Sequence, residues 1–192
     1  MQTFLSRSLL ASALFGTTTL ALAQSAAPPK AVMNTQCTGI KVCYCVDDDF
    51  LPLIDEKVKS LRAIIAAEKA KGKAIGYFSV PLSTRGGGYF NLNVEISGAA
   101  KERIETRLGK DHAWVLNPAM KEADLTTSNG KSGGHGEYML MWTRVMEGPT
   151  AMGEDLDFVY FAGPTDFAAF FGFTGKGDMD VLAKFYEQRL AT

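Results

Sequence analysis

The chain has 192 residues, with 20 Lys and Arg against 21 Asp and Glu and 46% apolar residues. Such a balance leaves no basic stripe for a nucleic-acid polymer and no polybasic patch for a membrane surface. The apolar share is that of a globular chain and excludes global disorder.

Residues 1–23 read as a secretory signal peptide. Arg7 is the only charge before Lys30, residues 9–23 are apolar or small apart from three threonines, and Ala21-Leu22-Ala23 has the small-x-small form of a cleavage site. The apolar run is shorter and more polar than the ~20 residues a membrane span needs. The mature chain is therefore expected in the periplasm or secreted, with no membrane span. Without Arg7 the 20 basic residues fall to 19, against 21 acidic ones. About 170 residues remain, enough for one domain with a sizeable core.

Residues 24–38 lack periodicity and read as a flexible mature N-terminus, followed by a single domain over 39–192. Residues 40–46 are rich in β-branched and aromatic residues and read as a strand. Cys43 and Cys45 share one face of that strand. The Thr38-Gly39 turn folds Cys37 back toward either, so a bridge from Cys37 is expected to leave one buried free thiol. Ile54, Val58, Leu61 and Ile65 recur at helical spacing, and Gly72 supplies a stop. Residues 74–80 are almost wholly apolar, as in a strand covered on both faces. Ser83-Thr84-Arg85-Gly86-Gly87-Gly88 reads as a loop, and residues 91–108 as a helix with Val94, Ile96, Ile104 and Leu108 inward. A short strand over 113–116 ends at Asn117-Pro118. Residues 119–134 read as a polar linker with little to bury, a mobile lid in expectation. An apolar helix over 137–146, a strand over 156–162, a Pro-started helix over 164–171 and a last helix over 178–190 complete the chain.

Strands that alternate with helices predict an α/β fold, here a Rossmann-like three-layer sandwich with a mostly parallel sheet of about four strands. Open sheets of this kind take ligands at the carboxyl ends of their strands. Ser83, Arg85, Gly86, Gly87, Asn117 and Thr165 stand at those ends and are the expected ligand-binding residues. The glycines allow close backbone approach, and the Arg85 fork suits phosphate or carboxylate. Neither phosphate-loop pattern, Gly-x4-Gly-Lys-Ser/Thr or Gly-x-Gly-x-x-Gly, is present.

Asp47, Asp48 and Asp49 suit a divalent cation, ribose hydroxyls or the cap of the following helix, and the cap is preferred because adjacent aspartates are common before helices. Glu137, next to His135 at the start of its helix, is the candidate nucleophile or general base, and Asp166 is the second candidate catalytic carboxylate. His112 precedes its strand and falls at the opposite edge. With only two histidines, no metal site is expected, and no cofactor either.

Tyr77-Phe78-Ser79-Val80-Pro81, then a long helix, then Val115-Leu116-Asn117-Pro118 and a glycine turn into the Glu137 helix, resembles the nucleoside 2-deoxyribosyltransferase-like group. The resemblance covers residues 74–142. It implies an α/β fold, a nucleoside-like ligand and Glu137 as nucleophile. The expected function is thus binding of a small polar ligand, nucleoside-like or phosphorylated, with hydrolysis or glycosyl transfer as its chemistry. The alternative is a periplasmic binding or envelope-interaction module without chemistry.

Overall fold

Strand β3 (Ala74–Ser79) is the centre of a three-stranded parallel sheet. It lies between β4 (Ala113–Leu116) and β5 (Phe158–Phe161), so the order is β4-β3-β5. This is a computed structural model that describes residues 32–82 and 89–172. The signal peptide expected over 1–23, the loop expected over 83–88 with Ser83, Arg85, Gly86 and Gly87, and the helix expected over 178–190 lie outside the described residues.

Two helices cover each face. On one side are α1 (Leu51–Ala70) and α3 (His135–Glu147), which pack together; on the other are α2 (Phe90–Leu108) and α4 (Pro164–Phe170). Alternation along the strands divides the core accordingly. Ile75 and Leu116 join Ile54, Leu61, Ile65, Leu140 and Val145 in one cluster. Phe78 and Val115 join Ala100 and Ile104 in the other. The architecture is α/β, as expected. Gly76 faces the second cluster because a Cβ there would stand 2.3 Å from the Phe158 ring, so only glycine lets the large ring of the neighbouring strand lie across β3.

Helix α1 buries the expected Ile54, Val58, Leu61 and Ile65. Helix α2 buries Leu92, Ile96, Ala100 and Ile104 at a strict spacing of four, but Leu108, expected inward, is exposed at its end. Arg62 reaches from α1 to the last turn of α3 and donates to the carbonyls of Arg144 (2.6 Å) and Gly148 (2.8 Å). These are carbonyls that a helix end leaves unpaired. Among the described residues no helix is long and apolar enough to cross a membrane.

The strand expected at 40–46 does not belong to the parallel sheet. It forms β2 (Cys43–Asp47), which pairs antiparallel with β1 (Met33–Cys37) inside the stretch expected to be flexible. Closure is local. The Thr38 N–H donates to the Val42 carbonyl and the Lys41 N–H to the Thr38 carbonyl, with Lys41 at φ 66°. A hairpin costs far less loop entropy than a long crossover, so a strand with a partner just upstream pairs there. The parallel sheet therefore has three strands among the described residues, not four.

The hairpin lies along α3 and is fastened at three levels. The Ile40 N–H donates to Glu147 Oε2 (3.2 Å), the Tyr44 and Thr143 hydroxyls are 2.7 Å apart, and the Asp47 N–H donates to Glu137 Oε1 (2.7 Å). Helix and strand approach so closely that a Cβ at Gly136 would stand 2.1 Å from the Cys45 carbonyl oxygen. Cys37 and Cys43, directly opposed, form a disulfide, the mark of an oxidising compartment. Cys45 is free and exposed rather than buried, because Tyr44 and Val46 occupy the face turned to α3.

Residues 119–134 are also not a bare linker. They carry a 3-10 turn (Lys121–Ala123) and a Thr126–Ser132 bridge, and they bury Ala123 and Leu125 in the α1/α3 cluster. A single apolar pair two residues apart is too short to establish a period, so its burial left no pattern to read.

Candidate functional site

The chain leaves β3 for α2 on one face, and leaves β4 for α3 on the other. Open parallel sheets bind ligands in the crevice at the carboxyl ends of their strands. Asn117 follows β4 at this edge and is buried. Its Nδ2 donates to Ser97 Oγ (3.2 Å), and its Oδ1 accepts the Ala119 N–H (3.0 Å). Ser97 Oγ donates to the Val94 carbonyl (2.7 Å), and Asn93 Nδ2 donates to the Leu82 carbonyl just past β3 (3.3 Å). A buried amide–hydroxyl chain thus ties together the ends of two strands and the first turns of α2. Asn93 and Ser97 were not singled out from the sequence. Their signal was there: two polar residues four apart, each beside a buried member of the α2 stripe, Leu92 and Ile96.

Helix α2 begins without a side-chain cap, its N-cap being Tyr89. Beside it is a shallow hollow of ≈ 120 Å³ lined by Tyr89, Asn91, Leu92 and Glu95. A drug-sized ligand needs ~300 Å³ or more, so this hollow holds only part of one. Residues 83–88 connect Leu82 to Tyr89 and therefore leave and rejoin the described chain at this edge.

At the third strand end, Thr165 is exposed in the first turn of α4. Asp166 turns back onto the α2 face, 2% exposed. It accepts from the Gly163 N–H (2.8 Å) and from the Tyr160 hydroxyl (3.1 Å), and it pairs with Arg103. Burial first, and then the Asp166 charge, push the Tyr160 hydroxyl above its ordinary value, so it remains a donor. The Asp166 carboxylate is committed to joining α4, β5 and α2.

Glu137 is 5% exposed and lies at the start of α3, against the hairpin. One carboxylate oxygen accepts the Asp47 N–H (2.7 Å), and the other accepts the Gly134 N–H (2.8 Å). The second contact is the N3-to-N-cap half of a capping box, the half that a glycine N-cap allows; the first fastens β2. His135, its neighbour, is exposed, and His112 is exposed just before β4, at the edge away from Asn117. The structure therefore brings Asn117 and Thr165 to the carboxyl edge, and it engages both candidate carboxylates in holding elements together.

Of the three aspartates one caps, and it caps a 3-10 turn that leads into α1 rather than α1 itself, whose first turn has no side-chain cap and no acid. Asp47 caps the 3-10 turn Asp48–Phe50 by accepting the Asp49 N–H (3.1 Å). Lys131 pairs with Asp47 and with Asp49 (3.3 Å). Its ammonium also stands 5.3 Å from the centre of the Phe50 ring. Among the described residues no group of three His, Cys, Asp or Glu is placed to hold a metal.

The Lys131 ammonium, then the Asp49 N–H, hold the Asp47 carboxyl below the usual carboxylate range against the opposing effect of burial. Asp47 raises Lys131 in return. A lowered acid contributes stability above its unfolded value and loses it as pH falls through the folded one. Asp47→Asn should therefore destabilise the protein at neutral pH, and the difference from wild type should shrink as pH falls below about 4. Urea midpoints measured from pH 7 down to 3 check this; a difference constant across that range contradicts it. The raised Lys131 adds the mirror effect, a contribution lost at strongly alkaline pH.

Comparison with protein-family models, with curated proteins and with solved structures finds no match to this chain. The likeness to the nucleoside 2-deoxyribosyltransferase-like group thus rests on the short motifs between residues 74 and 142 alone.

Proposed function

We propose that the protein is exported, to the periplasm or beyond, and binds a small polar ligand, nucleoside-like or phosphorylated, at the carboxyl edge of its parallel sheet without transforming it. The observation that carries this reading is the buried Asn117–Ser97 contact at the carboxyl end of β4, with Asn93 held to Leu82 beside it. Buried polar groups cost stability unless paired, and a paired chain at a strand-end crevice is a rigid floor for a ligand. Ser83, Arg85, Gly86 and Gly87 fall between Leu82 and Tyr89 in the sequence, outside the described residues. They would supply the planar cationic fork and the open backbone N–H groups that an anionic ligand requires.

Export is supported by the pattern of residues 1–23 and by the Cys37–Cys43 bond. Binding is favoured over hydrolysis or glycosyl transfer by the state of Glu137. A carboxylate nucleophile needs access to its substrate, and Glu137 is buried against the hairpin with each oxygen holding a backbone N–H group.

A thermal-shift screen of nucleosides, nucleotides and sugar phosphates tests the proposal. Stabilisation should rise with the logarithm of ligand concentration over Kd. Arg85→Ala should weaken binding of the phosphorylated ligands about tenfold or more, the loss of one charge-assisted pair. Asn117→Ala should weaken all ligands of the series. Stabilisation by none of these classes, or a hit unaffected by both substitutions, overturns the site. Turnover of a hit that is lost in Glu137→Gln while binding persists overturns the non-catalytic reading.

A further inference from the structure

Three sulfur atoms share the outer face of the hairpin. Cys37 and Cys43 are cross-strand partners with their Cα atoms 4.0 Å apart, and they carry the disulfide. The Thr38 N–H to Val42 carbonyl bond marks the adjacent pair as hydrogen-bonded, which makes Cys37 and Cys43 a non-hydrogen-bonded pair, the register in which side chains come closest. Cys45 is two residues beyond Cys43, on the same face, opposite Thr35. All three cysteines are exposed, and Cys45 keeps its thiol. The opposite face of β2, with Tyr44 and Val46, is packed on α3. Among the described residues the outer face has no such cover.

We propose that this outer face is a thiol–disulfide exchange site, with Cys45 as nucleophile and the Cys37–Cys43 bond as acceptor. The Cys45 thiolate attacks Cys43 Sγ. The Cys45–Cys43 sulfur bond forms, the Cys43–Cys37 bond breaks, and its electron pair leaves on Cys37 as thiolate, which takes a proton from solvent. One disulfide and one thiol stand on each side of the step, so it needs no oxidant or reductant. Residues two apart on an extended strand have Cα atoms about 6.8 Å apart, the upper end of the span a disulfide bridges, and their parallel Cα–Cβ bonds leave the Cβ atoms farther apart than the roughly 3.5–4.5 Å a disulfide takes. The product therefore requires β2 to bend at Tyr44 as Cys37 and the outer strand are released.

Alignment of the three sulfurs requires the hairpin to open. A two-stranded ribbon is marginal on its own, and here its inner strand is fastened to α3 while the outer strand depends on pairing with it. Small thiols and disulfides of an oxidising compartment reach the same face and exchange with it by the same chemistry. The hairpin thus holds a thiol that moves between the inner strand, on Cys45, and the outer strand, on Cys37, and β1 is covalently held in one state only.

The full chain, oxidised and free of added thiol, is incubated at pH 8. Samples are denatured in acid with an alkylating agent active at low pH, and the labelled cysteine is mapped by mass spectrometry. The expected result is label on Cys45 at the outset and a growing share on Cys37 over minutes to hours, the range of uncatalysed rearrangement, with total label constant at one per chain. A trace of reduced glutathione should speed the shift without changing the final ratio. The exposed variant Cys45→Ser should fold with the same melting temperature and take no label at any time. Label confined to Cys45 throughout, with or without glutathione, overturns the proposal. So does label on Cys37 or Cys43 in Cys45→Ser without added thiol, which would assign the exchange to another route.

Discussion

Glu137→Ala is expected to destabilise the protein by about 3 kcal/mol or more, because it orphans two backbone donors at once and each bond to a charged acceptor contributes ~1.5–3 kcal/mol. The Asp47 N–H is at the edge of β2 and the Gly134 N–H is at the start of α3. With the side chain truncated, no other described residue replaces either contact. Glu137→Gln keeps one carbonyl oxygen as acceptor and turns an NH₂ toward the other donor, so it should lose roughly half as much. Against a total of ~5–15 kcal/mol for a domain, the alanine variant gives up a large share. Urea midpoints of the two variants and wild type measure the series. The hairpin, fastened to α3 at this level by Glu137, should lose amide protection before the parallel sheet does. An alanine variant within ~0.5 kcal/mol of wild type, the range of ordinary surface changes, would show that the clamp contributes nothing.

The second large effect is expected at Asp166. Its carboxylate accepts from Gly163, Tyr160 and Arg103, and so joins β5, α4 and α2. Asp166→Ala should cost about 2–3 kcal/mol, most of it from the orphaned Gly163 N–H and Tyr160 hydroxyl. The Arg103 side chain is 41% exposed, so water takes over that partner and its share is small. Tyr160→Phe removes one of the stranded donors. In that background the further loss on Asp166→Ala should be smaller than in wild type, and a double-mutant cycle in denaturant isolates the difference. Strict additivity would mean that the tyrosine and the carboxylate do not act together.

Helix α1 and strands β3 and β4 were legible because their burial is periodic. Ile54, Val58, Leu61 and Ile65 fall on one helical stripe, and residues 74–79 are apolar on both faces of the sheet. Strand β1 was not legible. Met33-Asn34-Thr35-Gln36-Cys37 is mostly exposed, so nothing in its composition marks it; it is a strand because β2 is beside it and the turn at Thr38–Lys41 closes. The loss of one strand from the parallel sheet follows directly. Read alone, residues 40–46 look like the first strand of an alternating series, and only the upstream partner decides that they fold locally.

The candidate site was legible in its positions and not in its roles. Asn117 and Thr165 fall at strand ends as the alternation implied. The carboxylates of Glu137 and Asp166 sit three residues after Gly134 and Gly163, the N-caps of their helices. A carboxylate at that position is as well suited to closing a capping box as to chemistry, and residue type alone does not distinguish the two. Asn93 and Ser97 escaped notice for the converse reason. They lie beside an apolar stripe that is complete without them, and they gain meaning only when Asn117 and Leu82 are seen to meet them.

Amide chemical-shift mapping during titration with a ligand from the thermal-shift screen tests the ligand edge most directly. The predicted perturbations lie at Leu82, Tyr89 to Asn93, Asn117 and Thr165, with Asp47, Gly134 and the hairpin unmoved. Perturbations concentrated at the opposite edge, around Gly72, Gly109 and His112, or on the hairpin against α3, would contradict a binding site at the carboxyl ends of the parallel strands.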